Sequence, residues 1–451
     1  MSENLFPEFN KVSSKQWKQK IQMDLKGADY NTLITRTLEN IDIKPFYHYD
    51  DYIAFEQLAP KTFNIVQELN IKDENIARKI AKNALLKGAQ KFTFRFDKPF
   101  DIDKLLLSLS PEQLIFKADI LDTDFLKDLY RKTDGNTPIL LDPVGHFTRY
   151  GNWYENEKKD FAALQELQDF FPAGFLFLEI QADIYKNAGA SITQELAYAL
   201  SHAIEYLEKL GPGIASQILF NFATGSHYFF EIAKLKAFRK LWKLITKEYD
   251  INPDIKIYSQ PSLRNKTIFD PYVNMLRTTM EMMSSILGGA DMVANMPYDF
   301  IYHKSNEFSE RIARNQLIIL KEEAGFEQAL QATEKDYYLE EISYRLAEKA
   351  LDIFKQVEAS ASGGLLKQLY QGKIQQKITE TAQKEQADFD EGKLILVGTN
   401  KYINEQEKPE KINRFPFMKK RHIQTLIPPV VPKRLAEKME KKRLQSLGIK
   451  L

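Results

Sequence analysis

The chain has 451 residues, 43% of them hydrophobic and 12% aromatic, enough apolar material for a sizeable core and too much for a chain disordered throughout. Its 63 basic and 62 acidic side chains leave a formal net charge of +1, which argues against a field that draws in nucleic acid or anionic membrane. Cysteine is absent, and with it disulfides, Cys-ligated zinc, iron–sulfur clusters and thiol nucleophiles.

Residues 1–11 mix polar and apolar side chains and lack the basic start and apolar run of a signal peptide. No stretch approaches the roughly 18 to 20 apolar residues of a membrane span. The expectation is a soluble, cytoplasmic protein. Ser13 and Ser14 are placed to cap a helix whose apolar face is Trp17, Ile21 and Leu25, with Gly27 as its stop. An extended segment through Ile41, Ile43, Pro45, Phe46 and Tyr47 follows, then a helical stretch over 74–87.

From residue 91 short apolar runs alternate with helical patterns, the mark of βαβ units and a parallel sheet. The runs at 91–96, 114–118, 138–141, 174–180, 217–222, 255–259 and 291–295 read as strands, and 394–398 offers an eighth. Helices are expected over 124–132, 160–170, 191–210, 227–249, 271–287, 305–323 and 339–359. Eight strands with crossover helices fit a (β/α)8 barrel of the TIM type better than an open doubly wound sheet. The chain divides into an arm and extended segment (1–70), a barrel (71–402) and a proline-punctuated linker and basic tail (403–451).

A search for chemistry returns few candidates. Gly211-Pro212-Gly213-Ile214-Ala215-Ser216 follows a helix and precedes a strand, the reverse of a dinucleotide fingerprint, and Gly392-Lys393 lacks the rest of a phosphate loop. The histidines at 48, 146, 202, 227, 303 and 422 include no i, i+4 metal pair. His227 opens a helix near the expected barrel mouth, where capping or packing explains it as well. Asp142 and His146, following the third of these strands, are the best acid/base pair, although Asp-Pro and Gly also form ordinary turns. Glu179 and Asp183 are a candidate carboxylate pair. Arg311 and Arg314 are placed for phosphate binding or, more simply, for pairing with Glu307 and Glu310. The methionines at 275, 280, 282 and 283 belong to a core-packing helix.

The segments Arg277-Thr278-Thr279-Met280-Glu281-Met282-Met283, Gly288-Gly289-Ala290-Asp291, Phe308-Ser309-Glu310-Arg311-Ile312-Ala313-Arg314-Asn315, Glu322-Glu323-Ala324-Gly325 and Val397-Gly398-Thr399-Asn400-Lys401-Tyr402 resemble, in order, the barrel domain of cobalamin-dependent acyl-CoA mutases. Trp17, Asp24-Leu25-Lys26-Gly27 and Ile43-Lys44-Pro45-Phe46-Tyr47 resemble the opening of methylmalonyl-CoA mutase chains. Between Tyr52 and Phe175 the likeness weakens, and the family's Arg-Pro-Trp run is missing.

Two further departures bear on activity. Where catalytic chains read Gly-Tyr-His-Met-x-x-Ala-Gly-Ala, this chain reads Ala182-Asp183-Ile184-Tyr185-Lys186-Asn187-Ala188-Gly189-Ala190, so Ile184 stands at the catalytic histidine's position. Isoleucine neither donates a hydrogen bond nor moves a proton. The family lines the preceding strand with small serines to pass the CoA tail; Phe177-Leu178-Glu179-Ile180-Gln181 is expected to fill the bore instead. No histidine lies in the family's cobalt-ligating Asp-x-His-x-x-Gly, and 49 residues after Tyr402 leave no room for a cobalamin domain.

The resemblance therefore implies a small subunit with no catalytic, cofactor-binding or metal residues of its own, inactive alone. It would pair pseudo-symmetrically with a large catalytic subunit that carries adenosylcobalamin and interconverts (R)-methylmalonyl-CoA and succinyl-CoA. The alternatives are the substrate-binding barrel of a split acyl-CoA mutase, or an unrelated barrel enzyme using Asp142 and His146.

Overall fold

The computed structural model describes residues 8–53, 62–359, 363–409, 411–418 and 424–449. His422 and the start of the N-terminal segment lie outside them. Eight parallel strands form the core: β1 (Asn64–Asn70), β2 (Lys91–Phe96), β3 (Leu114–Ala118), β4 (Ile139–Leu140), β5 (Leu178–Gln181), β6 (Ile218–Thr224), β7 (Lys256–Pro261) and β8 (Met292–Ala294). They pair in the order 4-3-2-1-8-7-6-5, so the first and last strands are neighbours. A bridge from Leu141 to Leu178 joins β4 to β5, backed by Leu141 N donating to the Phe177 carbonyl at 2.9 Å. This is the ring of a (β/α)8 barrel, as the βα rhythm implies.

The helices are α1 (Ser14–Asp24), α2 (Glu74–Leu86), α3 (Ile102–Leu106), α4 (Thr123–Lys132), α5 (Pro143–Tyr150), α6 (Glu157–Phe170), α7 (Asp183–Ala188), α8 (Ile192–Leu210), α9 (Tyr228–Glu248), α10 (Val273–Leu287), α11 (Glu307–Ile318), α12 (Tyr337–Glu358), α13 (Leu365–Tyr370), α14 (Lys373–Asp390) and α15 (Glu437–Ser446). The main apolar core lies between ring and helices. It is built from the outward strand residues Phe92, Phe94, Phe116, Ile180, Phe220 and Phe222 against helix faces such as Leu126, Leu196 and Phe238. α12 covers α8 and α9 as an outer layer.

Helices α3, α5, α7, α13 and α14 are additions to those expected from sequence, and two strand assignments differ. The first barrel strand is Asn64–Asn70, upstream of residue 71; its inward Glu68 and its outward Gln67 interrupt the apolar run by which a buried strand is recognised. Residues 394–398 form no barrel strand. Asn400 accepts from Leu396 N at 2.8 Å and donates to the carbonyls of Phe389 and Leu394, tying the segment into a turn after α14.

The ends of the chain pack in different ways. Of the two serines expected to cap α1, Ser13 is the cap, and Gln16 completes a capping box with it. None of the described α1 residues is buried; Trp17 stacks on Phe46 at 4.5 Å. Farther along the arm, Glu39 and Ile41 are buried against the barrel, and Tyr47 meets Tyr338 edge to face. The segment read as a tail also docks: Val430 N donates to the Thr148 carbonyl, Lys433 N to Asn187 and Leu435 N to Arg264. The Arg434 guanidinium, buried, pairs with Glu440 at 2.7 Å.

Candidate functional site at the barrel mouth

In a βα barrel the loops after the strands gather at one face, and the bore opens there. The inward positions are every second strand residue: Val66 and Glu68 on β1, Thr93 and Arg95 on β2, Ile115 and Lys117 on β3. The lower bore is apolar, with Val66, Ile115, Leu140, Leu219 and Met292 in one cluster with Tyr258. Above it lies a chain of ion pairs. Arg95 binds Glu68; Lys117 is 2.8 Å from Glu179, 3.6 Å from Glu68, and 3.8 Å above the Tyr258 ring. The Tyr258 hydroxyl donates to Glu68 at 3.1 Å. Burial alone would raise the Glu68 carboxyl, but Arg95 and Lys117 hold it below its ordinary value. Arg95 is likewise kept charged by Glu68, Glu179 and Asp183 against the cost of burial.

These side chains occupy the space that small residues would leave open. Lys117, Glu179 and Tyr258 are all buried. No other part of the network was singled out from sequence beyond Glu179, although the signal is present. In Lys91-Phe92-Thr93-Phe94-Arg95-Phe96 the polar residues alternate with outward phenylalanines, and period-2 reading assigns Thr93 and Arg95 to the bore.

Asp142 and His146 do not form a pair. Asp142 caps α5, accepting from Gly145 N at 2.8 Å, and its other oxygen accepts from Gln181 N at 2.9 Å. Its buried partners are His202 Nε2 at 2.8 Å and the Tyr206 hydroxyl at 2.7 Å. Tyr185 continues this chain on the far side of His202 at 3.2 Å. His202 is fully buried on α8, and nothing in its sequence neighbourhood marks it as the partner of a residue sixty positions away.

His146 instead meets Asp119 through Nδ1 at 2.9 Å and stacks on Tyr154 with ring centroids 3.8 Å apart. The Tyr150 and Tyr154 hydroxyls donate to the same carboxylate. Burial opposes ionisation of Asp119, but the His146 contact lowers its pKa.

Glu179 and Asp183 are likewise separated. Glu179 serves Lys117, whereas Asp183 starts α7 and lies 3.6 Å from Arg149. Ile184, next along α7, is buried in the main apolar core. His227 precedes α9 without a side-chain cap, and burial lowers its pKa. Below it Lys234 bridges Glu195 at 2.9 Å and Glu231 at 2.6 Å. Burial pushes the Glu195 carboxyl up to about 7 in spite of Lys234. Arg314, buried, donates to Gln67 at 2.7 Å and to the Lys87 carbonyl at 3.1 Å, whereas Arg311 stays exposed and lies over the exposed Phe308 ring.

The arrangement at this mouth is thus a set of closed ionic pairs. The matched family model, methylmalonyl-CoA mutase, spans residues 141–447. The chain is similar to the methylmalonyl-CoA mutase small subunit of Porphyromonas gingivalis, 33% identical over 448 residues, covering 89% of this chain and 71% of that one. It is 27% identical to the methylmalonyl-CoA mutase of Cereibacter sphaeroides over 88% of this chain and 65% of that protein. With the methylmalonyl-CoA mutase large subunit of Propionibacterium freudenreichii subsp. shermanii it shares 33% identity over 50% of this chain, which spans about a third (32%) of that subunit.

Proposed function

The chain belongs to the methylmalonyl-CoA mutase family, and on that premise we propose that it is the non-catalytic small subunit of such a mutase, supporting a large subunit that interconverts (R)-methylmalonyl-CoA and succinyl-CoA. The observation that carries this reading is Ile184. At the position where catalytic chains place their histidine, a side chain without donor or acceptor is packed into the apolar core. The bore adds to it, because a pantetheine tail threading between Lys117, Glu179 and Tyr258 would have to break buried ion pairs.

Adenosylcobalamin belongs, in this reading, to the partner. Two histidines near the barrel mouth do not fit a cobalt-ligating role: His202 is fully buried against Asp142, and His146 commits Nδ1 to Asp119 while stacked on Tyr154. Among the described residues no helix is long and apolar enough to cross a membrane, and the pair is assigned to the cytoplasm. Part of the arm is assigned to the partner as well. Glu39, Ile41 and Tyr47 are taken up by this chain's own barrel, but no residue of α1 is buried, and a helix of 11 residues held by few contacts is marginal in water.

The test is co-expression with a large mutase subunit, followed by gel filtration and a mutase assay of each chain and of the pair. Co-elution, with turnover only when the large subunit is present, is expected. Turnover by this chain with added cobalamin alone would overturn the reading.

A further inference from the structure

Helix α10 buries Thr278, Glu281, Met282 and Ile286 and presents a second apolar face outward. Tyr272, Leu276 and Met280, spaced by four, stand one above another along that face, and Leu276 is 66% exposed. Beside them sits the turn at 397–402, where Val397 is partly exposed and Tyr402 is 76% exposed. The turn is fixed against the helix rather than loose. Arg277 Nη2 donates to the Val397 carbonyl at 2.8 Å, and Gly398 adopts φ +78° with Asp270 so near that a Cβ there would lie 2.6 Å from it.

Together these side chains expose on the order of 500 Å² of apolar surface, the upper end of what a monomer leaves open. A stable interface takes roughly 800 Å² from each partner. The patch is therefore sized to be the apolar centre of an interface, with additional contact supplied around it.

What covers it is indicated by sequence. Met280 of this surface lies in 277–283, and Val397 and Tyr402 lie in 397–402, two of the segments that resemble the catalytic chains; Leu276 immediately precedes the first. Relatives named small subunit and large subunit both align with this chain, so the two are homologous bodies. Homologous chains paired about an approximate twofold bring like surface against like. We propose that the α10 stripe and the 397–402 turn form the centre of the interface with the large mutase subunit, meeting the equivalent surface of that chain. This rests on the small-subunit reading.

The experiment compares wild type, Leu276→Glu/Met280→Glu and Tyr402→Asn for affinity to a large mutase subunit by sedimentation velocity, with Ile76→Glu on the exposed face of α2 as control. A Kd raised at least 100-fold for the double variant and about 10-fold for Tyr402→Asn, with Ile76→Glu unchanged and far-ultraviolet spectra alike, is expected. Equal Kd values for wild type and both variants would overturn this surface while leaving the small-subunit reading intact. Failure of the wild-type chains to associate at all would remove both. Loss of self-association alone, with heterodimer affinity kept, would assign the patch to a second copy of this chain and overturn the proposal.

Discussion

The Glu39 carboxylate, in the N-terminal arm, accepts hydrogen bonds from the backbone N–H of Thr193 and from its hydroxyl, each at 3.0 Å, and from Ile192 N at 2.7 Å. A buried negative charge thereby sits on the positive end of α8, a 19-residue helix that Ser191 and Gln194 already cap from within. The arm is held to the barrel through the helix terminus it completes. Glu39→Ala should lower stability by about 2 kcal/mol, since two helix N–H groups lose a charged acceptor. Urea unfolding measures this, and amide exchange at Ile192 and Thr193 should speed up. A loss below a few tenths of a kcal/mol would show that the contact does not hold the arm.

Lys117 is the common cation of Glu179 and Glu68. Lys117→Met strands the buried Glu179 carboxylate, while Glu68 keeps Arg95 and the Tyr258 hydroxyl, and should cost about 3 kcal/mol. Adding Glu179→Leu should recover much of it, because removing both charges is far less costly than stranding one. Chemical denaturation of the two variants decides the point. A double variant as unstable as the single one would mean the ion pair is not the unit.

Restoring the missing group should not restore activity. Ile184→His places an imidazole in a packed core, beside a bore still closed by Lys117, Glu179 and Tyr258. The expected result is destabilisation without acyl-CoA turnover when cobalamin is supplied. Measurable turnover would contradict the small-subunit assignment.

The pH dependence follows from carboxyls that burial pushes up to about 7, Glu195 and Glu310. Folded, such a group keeps a proton that the unfolded chain has released above the ordinary value of 4.5. Stability therefore falls as pH rises from about 4.5 to 7, by up to about 1.4 kcal/mol per unit for each group, and the effect is complete above 7. Glu310→Gln mimics the protonated form, so its stability relative to wild type should climb across that window. Urea titrations at pH 5, 6, 7 and 8 test this, and a difference independent of pH would refute it.

Deleting residues 1–30 removes α1, none of whose residues is buried here, while keeping Glu39. The truncated chain should unfold within about 1 kcal/mol of the full one, yet bind a large mutase subunit more weakly. An unchanged Kd would mean that α1 is not a partner contact.

Much of this could be read from sequence where one physical signal dominates. β2 and β3 begin and end where their short apolar runs do, and the cap of α1 follows from serine placed just ahead of an amphipathic run. β1 was hidden because Gln67 and Glu68 serve Arg314 and Arg95, contacts that no local pattern records. The candidate pair Asp142 and His146 failed for a related reason. Asp142 is the N-cap of a short helix and His146 lies one turn into it, yet the two side chains meet different neighbours; the partners each found, His202 and Asp119, are set by how strands pair around the ring. Ile184 was legible only through family resemblance; as an isoleucine at the start of a helix it carries no message of its own.

The pairing of β1 with β8 has a consequence for the chain as it is made. Asn64 meets Met292 across almost the whole barrel sequence, so during synthesis the first strand emerges long before its second neighbour exists. One edge of the nascent sheet stands open through that interval, the situation in which strands add to other chains.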